Sequence, residues 1–248
     1  MQITKKNKLY LSLTAILLLT TGTLILAQQN PIDDSRFITY IVDLRKRDLE
    51  LYWKDEKNEI FRSIATLKEW LQQHNQRLVF GMNAGMYKPD NSPQGLFIEK
   101  QTVLSPLDTS TGNGNFYLKP NGVFYLTTDN VPFVCTTSAF RNNEKINYAT
   151  QSGPMLVVNG QIHPAFKEGS PNRHIRNGVG ILPDNRVIFV MSKKEINFYD
   201  FAAYFKNVGC QNALYLDGLV SRTYLPEKQW MQTDGNFGVI IGVTAPLP

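Results

Sequence analysis

The sequence predicts an α+β fold, a mixed β-sheet core with many strands, hairpins and about two main helices. Three observations predict it. Only two stretches carry apolar residues at helical spacing. The middle of the chain is a succession of short apolar runs joined by tight-turn residues. The 248 residues, 42% hydrophobic and 19% charged, are enough to bury a sizeable core and unlike a disordered chain.

The N-terminus stands apart. "KKNKLYLSLTAILLLTTGTLILAQQN" is a basic start, a long apolar stretch and a polar exit, the pattern of an export segment. Two forms fit residues 1–27. One is a signal peptide cut after Ala27, although Ile25 is bulky for that cut. The other is an uncleaved anchor over residues 9–26, which approach spanning length. Residues 28–36, "QQNPIDDSR", read as a polar linker, and 37–248 as one domain. The expected location is outside the cytoplasmic membrane, periplasmic or extracellular, with membrane contact only through the N-terminal segment.

Along the domain, "FITYIVDL" and "LELYW" read as strands around the charged turn "RKRD". "SIATLKEWLQQHN" reads as a helix, with Ser63 as its cap and Ile64, Leu67 and Leu71 on one face. "RLVFGMNAGMY" starts as a buried strand and breaks at glycines, and "GLFIEK" is a short strand. "GNGNFYLKPNGVFYLT", "PMLVVNGQIHP" and "NGVGILPDNRVIFVMS" read as hairpins turning at "PNG", "NG" and "PDN". "NFYDFAAYFKNVG" is the second helix, with Phe198, Phe201, Ala202 and Phe205 as its apolar face and Gly209 at its end. "ALYLDG" and "FGVIIGV" are the last strands.

Composition excludes several functions. The formal charge is +5, but Lys5, Lys6 and Lys8 lie in the N-terminal segment, so the domain is near neutral and no nucleic-acid partner is expected. There is no phosphate-binding P-loop, dinucleotide glycine fingerprint or serine-hydrolase elbow. His74, His163 and His174 lack zinc-ligand spacing. No cofactor is required, and a divalent cation, Ca or Mg, held by carboxylates and carbonyls remains compatible with the sequence. Cys135 and Cys210 are either a long-loop disulfide or two buried thiols.

Four polar interruptions stand out in apolar frames. Asn83 lies in "FGMNAGMY", and Ser152 and Gly153 in "TQSGPMLVV". Arg173, Arg176 and Asn177 lie in "NRHIRNGVGIL", and Asp217, Gly218, Ser221 and Arg222 in "LYLDGLVSR". Each alone is also what a plain turn contains. As an ordered set, with "GLFIE", "FYLKPNGVFY" and "NFYDFAAYF", they resemble the phosphodiester glycosidase family from about Phe37 to Val243. One departure is that the "LDGGGS" ending of the uncovering-enzyme branch is "LDGLVS" here, so Leu219 and Val220 narrow that loop.

The resemblance implies hydrolysis of a sugar-1-phosphodiester at the anomeric carbon, giving free sugar and a phosphomonoester. The residue types suit it. A phosphate leaves easily, so a strong general acid matters less than in ordinary glycoside cleavage. Arg176, then Arg173 and Arg222, are candidates to grip the phosphate. Asp217 is the carboxylate expected as base, nucleophile or metal ligand. Asn83, Ser152, Asn177 and Ser221 would orient sugar hydroxyls or phosphate, with Gly153 and Gly218 allowing close approach. The partner would be a carbohydrate or sugar-phosphate substrate. A second carboxylate is not identified among Glu99, Asp200 and Asp234. The alternative is a non-catalytic binder of an anionic envelope or extracellular polysaccharide.

Overall fold

The computed structural model describes residues 35–217 and 220–248. The N-terminal segment, most of the linker and Gly218 lie outside them. Alternation of side chains builds the core. In β12 (Val187–Ser192), Val187, Phe189 and Met191 enter one apolar cluster, and Ile188 and Val190 enter another. A strand buried on both faces reads as an unbroken apolar run, and this one does.

Three sheets result. Across the first lie β1 (Phe37–Val42), β12, β11 (Asn177–Ile181), β13 (Ala213–Tyr215), β9 (Met155–Val158) and β10 (Gln161–Ile162). Across the second lie β15 (Trp230–Met231), β14 (Thr223–Leu225), β3 (Gln76–Asn83), β16 (Ile240–Pro246) and β2 (Leu49–Tyr52). Across the third lie β5 (Thr102–Ser105), β4 (Phe97–Glu99), β8 (Ile146–Ser152), β6 (Gly122–Thr127) and β7 (Pro132–Thr136). The inner faces of all three meet in one core that includes Tyr40, Phe80, Phe97, Phe124, Phe189 and Leu214.

The expectation of mixed sheets is corrected. Every paired strand among the described residues is antiparallel to its neighbour. Tight turns permit only that arrangement, because parallel neighbours need a crossover of roughly a dozen residues or more. The two helices serve as such crossovers, but each skips a strand. Helix α1 (Ile64–Gln73) joins β2 to β3, and β16 pairs between them. Helix α2 (Phe198–Asn207) joins β12 to β13, and β11 pairs between them.

Both helices form for the reasons legible in the chain. Ser63 Oγ accepts the Thr66 N–H at 3.1 Å, and Ile64, Leu67 and Leu71 pack with Phe61, Leu78 and Ile240. Asn197 Oδ1 accepts the Asp200 N–H at 2.8 Å and its amide returns a bond to Asp200 Oδ2 at 3.0 Å. Phe198, Phe201, Ala202 and Phe205 are buried on the first sheet's outer face, and Gly209 follows the helix at φ +95°.

The hairpins at "NG" and "PDN" form as β9–β10 and β11–β12. The one expected at "PNG" does not. Asn115–Tyr117 is instead a turn of 3₁₀ helix with Phe116 buried, and β6 pairs with β7 and β8. Asn121 decides this locally, since its Nδ2 donates to Phe116 O at 2.9 Å and its carbonyl accepts from Thr137 N–H at 2.9 Å. Cys135 and Cys210 are free thiols, and burial pushes their pKa values up to about 11 and about 12. Among the described residues no helix is long and apolar enough to cross a membrane.

The second and third sheets meet through acidic side chains. Tyr148 of β8 donates to Glu50 Oε2 of β2 at 2.9 Å. Burial pushes the nearby Glu99 carboxyl up to about 7, opposed by Lys100 and reinforced by Glu50. The folded state thus keeps a proton that an unfolded glutamate loses near 4.5. Stability from this group is full below about pH 4.5, falls as pH rises toward 7 and is level above that. Urea denaturation at pH 5 and pH 8 checks it. The wild type is expected to lose stability between the two, and Glu99→Gln to lose less. Equal losses in both proteins would refute the assignment.

Candidate functional site

Four remote segments meet where β13 ends. The Leu216 N–H donates to Asn177 O at 3.1 Å, and the Asp217 N–H donates to Asn177 Oδ1 at 2.9 Å. Asn177 Nδ2 in turn donates to Asn83 O and Oδ1, at 2.9 and 3.1 Å. Asn83 Oδ1 also accepts the Arg222 N–H at 2.8 Å, and its Nδ2 lies 3.5 Å from Asp217 O. Ser221 Oγ reaches Asp217 O at 2.8 Å, and Ser152 Oγ donates to Leu216 O.

All of these side chains are buried. Leaving one such group without a partner costs about 1–3 kcal/mol, whereas each bond made contributes only about 1. The network is therefore a framework that locates Leu216 and Asp217. Its asparagines and serines spend their polar atoms on the chain itself.

Two glycines permit the convergence. A Cβ on Gly85 would lie 2.5 Å from Gln151 O, and one on Gly153 would lie 2.8 Å from Phe116 O. The close approach expected at Gly153 is thus that of the protein's own backbone.

Asp217 is 6% exposed, and it lines a cavity of about 450 Å³. The segment after β3 supplies one wall through Met86, Tyr87, Lys88 and Pro89, and Gln94 and Asn115 close the rest. Burial raises the pKa of the Tyr87 phenol, and the Asp217 carboxylate raises it further, so the two groups sense each other. A carboxylate, an ammonium, a phenol and two amides thus share one hollow of ligand size.

The three arginines lie elsewhere. Arg176 is fully buried and faces the first sheet's outer layer. Its Nε donates to Ile196 O at 2.8 Å, its Nη2 to Asn172 O at 3.0 Å and its Nη1 to the Tyr215 hydroxyl at 3.3 Å. Its guanidinium also stacks 3.6 Å from the Phe198 ring centre. Arg173 donates to Glu195 O at 3.0 Å. Arg222 forks onto Asp234 with two bonds of 2.8 Å, and that pair holds the Asp234 carboxyl below its usual range.

The candidate second carboxylates also lie apart from the cavity lining. Asp200 accepts from the Asn197 cap of α2, Asp234 pairs with Arg222, and Glu99 sits between the second and third sheets. Among the described residues no group of three or more His, Cys, Asp or Glu side chains is placed to hold a metal ion.

Lys88, Tyr87, Gln94 and Asn115 were not singled out by the sequence reading. Lys88 follows directly on the quoted "GMNAGMY", and the apposition of a cation with that strand end was its only signal.

Comparison with known proteins identifies the family. The phosphodiester glycosidase family matches residues 76–242. YigE of Escherichia coli strain K12, an uncharacterised protein, is 36% identical over 187 residues, 75% of this chain and 73% of YigE. The fold is similar to the catalytic domain of zebrafish N-acetylglucosamine-1-phosphodiester alpha-N-acetylglucosaminidase, which is auto-inhibited by its pro-peptide. That likeness has a TM-score of 0.58 and 12% identity, over 87% of this chain and 84% of the zebrafish one. A Burkholderia pseudomallei K96243 protein classed as exported matches with a TM-score of 0.56 and 10% identity, over 84% of this chain and 73% of that one. The chain belongs to the phosphodiester glycosidase family.

Proposed function

We propose that the protein hydrolyses a sugar-1-phosphodiester at the anomeric carbon, outside the cytoplasmic membrane. The observation that carries this reading is that Asp217 and Lys88 line the same cavity. In the proposed step, water attacks the anomeric carbon and gives a proton to the Asp217 carboxylate. The bond from that carbon to the phosphate oxygen breaks, and its electron pair leaves with the phosphate. The products are a free sugar and a phosphomonoester.

The division of labour follows from the chemistry of the leaving group. An alkoxide leaving group needs a proton donor, which is why glycosidases usually carry two carboxyl groups. A phosphate monoester has its second ionisation near pH ~6, so it departs as a stable anion. A single carboxylate lines this cavity among the described residues. That suits a reaction needing a base for water and a cation for phosphate, without a strong acid. Lys88 supplies the cation as a point charge. Tyr87, Gln94 and Asn115 offer the phenol and amides that would orient sugar hydroxyls. Arg176 acts at a distance, by fixing Tyr215 two residues before Asp217.

The export expectation joins this reading through the N-terminal segment, and it places the substrate among periplasmic or extracellular polymers and glycoconjugates.

Two variants test the roles. Asp217→Asn keeps the shape, because the framework holds the backbone of Asp217. It is expected to lower turnover of a chromogenic sugar-1-phosphodiester at least about a hundredfold with unfolding unchanged, within the range for a general base. Lys88→Gln is expected to lower kcat/KM by about ten- to a hundredfold, the worth of a charge-assisted hydrogen bond. Saturable binding by the wild type without released sugar would overturn the hydrolase reading in favour of a polysaccharide-binding one. Full activity in Asp217→Asn would remove Asp217 from the mechanism.

A further inference from the structure

Met86, Tyr87, Lys88, Pro89 and Gln94, which line the Asp217 cavity, all come from one short hairpin. Its main chain accounts for its shape. The Gln94 N–H donates to Met86 O at 2.8 Å, Tyr87 pairs with Pro93, and the Lys88 N–H donates to Ser92 O at 2.8 Å. The Asn91 N–H closes the tip onto Lys88 O at 2.8 Å, with Asn91 at φ +63°. These bonds are internal. They set the form of the hairpin and not its place beside Asp217.

The place is set through Asn91. Lys88, Pro89 and Asp90 are exposed, whereas Asn91 is only 2% exposed. Its Nδ2 lies 3.1 Å from each of Asn236 O, Asn236 Oδ1 and Phe237 O. Its Oδ1 accepts from Arg62 Nη1, and its carbonyl accepts from Trp53 Nε1 at 3.0 Å. The Phe237 N–H in turn donates to Arg62 O at 2.7 Å. A buried amide with its polar atoms engaged holds one pose, since giving up a bond orphans a donor or acceptor. Gly238 lets the two segments touch, because a Cβ there would lie 2.7 Å from Tyr87 Cβ and 3.0 Å from Asn91 O.

The segment that receives Asn91 also reaches the framework around Asp217. Asp234 takes the Arg222 fork, and the Arg222 N–H sits on Asn83 Oδ1. Residues 234–237 are therefore tied at one end to the framework that locates Asp217 and at the other to the hairpin that carries Lys88. Slack at the Asn91 end would let the ammonium drift relative to the carboxylate. A small misplacement of that kind is costly when two groups act on one bond.

We propose that Asn91 is a positioning residue for Lys88, holding the 86–94 hairpin against residues 234–237 at a fixed distance from Asp217. Its catalytic consequence rests on the reading of Lys88 as the cation for the phosphate, while the pinning itself does not.

The test is Asn91→Gly, which suits the left-handed backbone and deletes only the side-chain amide. Turnover of a chromogenic sugar-1-phosphodiester is measured with this change alone, with Lys88→Gln alone and with both. Asn91→Gly is expected to lower kcat/KM about tenfold in the wild type, and less than about twofold once Lys88 is replaced. A merely structural role would cost the same factor in both backgrounds, and that result would overturn the proposal. Hydrogen exchange gives a readout that needs no substrate. The Lys88 and Gln94 N–H groups are expected to exchange at least about tenfold faster in Asn91→Gly, with those of Leu216 and Asp217 unchanged. Unaltered exchange at Lys88 and Gln94 would also overturn it. Should Asn91→Gly fail to fold, Arg62→Gly carries both measurements with the same expectations, because it removes the donor to Asn91 Oδ1 at another left-handed position, φ +63°. If exchange changes as expected but the wild type cleaves no sugar phosphodiester, the hydrolase reading falls and the pinning stands. If the wild type cleaves and the two losses simply multiply, the hydrolase reading stands and the role of Asn91 falls.

Discussion

The site depends on a junction of buried amides. Asn83 and Asn177, on two different sheets, bond to each other, to the Arg222 N–H and to the Asp217 N–H. Neither amide meets water, so each donor and acceptor needs a partner within the protein. That requirement fixes the spacing of β3, β11 and the end of β13 far more tightly than apolar packing would. Apolar contacts tolerate small slides, whereas a hydrogen bond weakens steeply once its angle fails. The Asp217 carboxylate inherits its position from this junction.

The rest of the architecture supplies the setting. Helix α2 skips over β11 to reach β13, so β13 enters between β11 and β9 with both faces covered. Helix α1 does the same around β16, which brings the end of β3 beside β14. The third sheet then contributes Ser152 at the end of β8 and the loop that carries Asn115. Three sheets thus deliver one wall each to the same strand end. Arg176 reinforces it from behind, because its guanidinium ties Tyr215, Ile196 and Asn172 together.

The sequence made the framework legible and left the lining obscure, for a physical reason. Framework residues interrupt apolar runs, so Asn83, Ser152, Asn177 and Asp217 stand out against their neighbours. Capping chemistry likewise marks Ser63. Lining residues sit in loops that are polar anyway, so Lys88 and Asn115 carry no contrast. Arg176 shows the converse. A guanidinium beside glycine and asparagine reads as a ligand-binding group, but its carbonyl and ring partners at Ile196, Asn172 and Phe198 come from other elements. The antiparallel order of the sheets is implicit in the tight turns, which are too short for the crossover that parallel neighbours need. Short strands such as Thr223–Leu225 gave no alternation to read.

The central claim is that Asn83 and Asn177 act as one unit in holding Asp217. A double-mutant cycle with Asn83→Ala and Asn177→Ala, read by unfolding free energy, tests it most directly. The account predicts strong coupling, with the double variant losing less than the two single losses combined by about 1–3 kcal/mol, since the second substitution removes groups that the first has already orphaned. Losses that simply add would mean that the two amides act independently, and would contradict it.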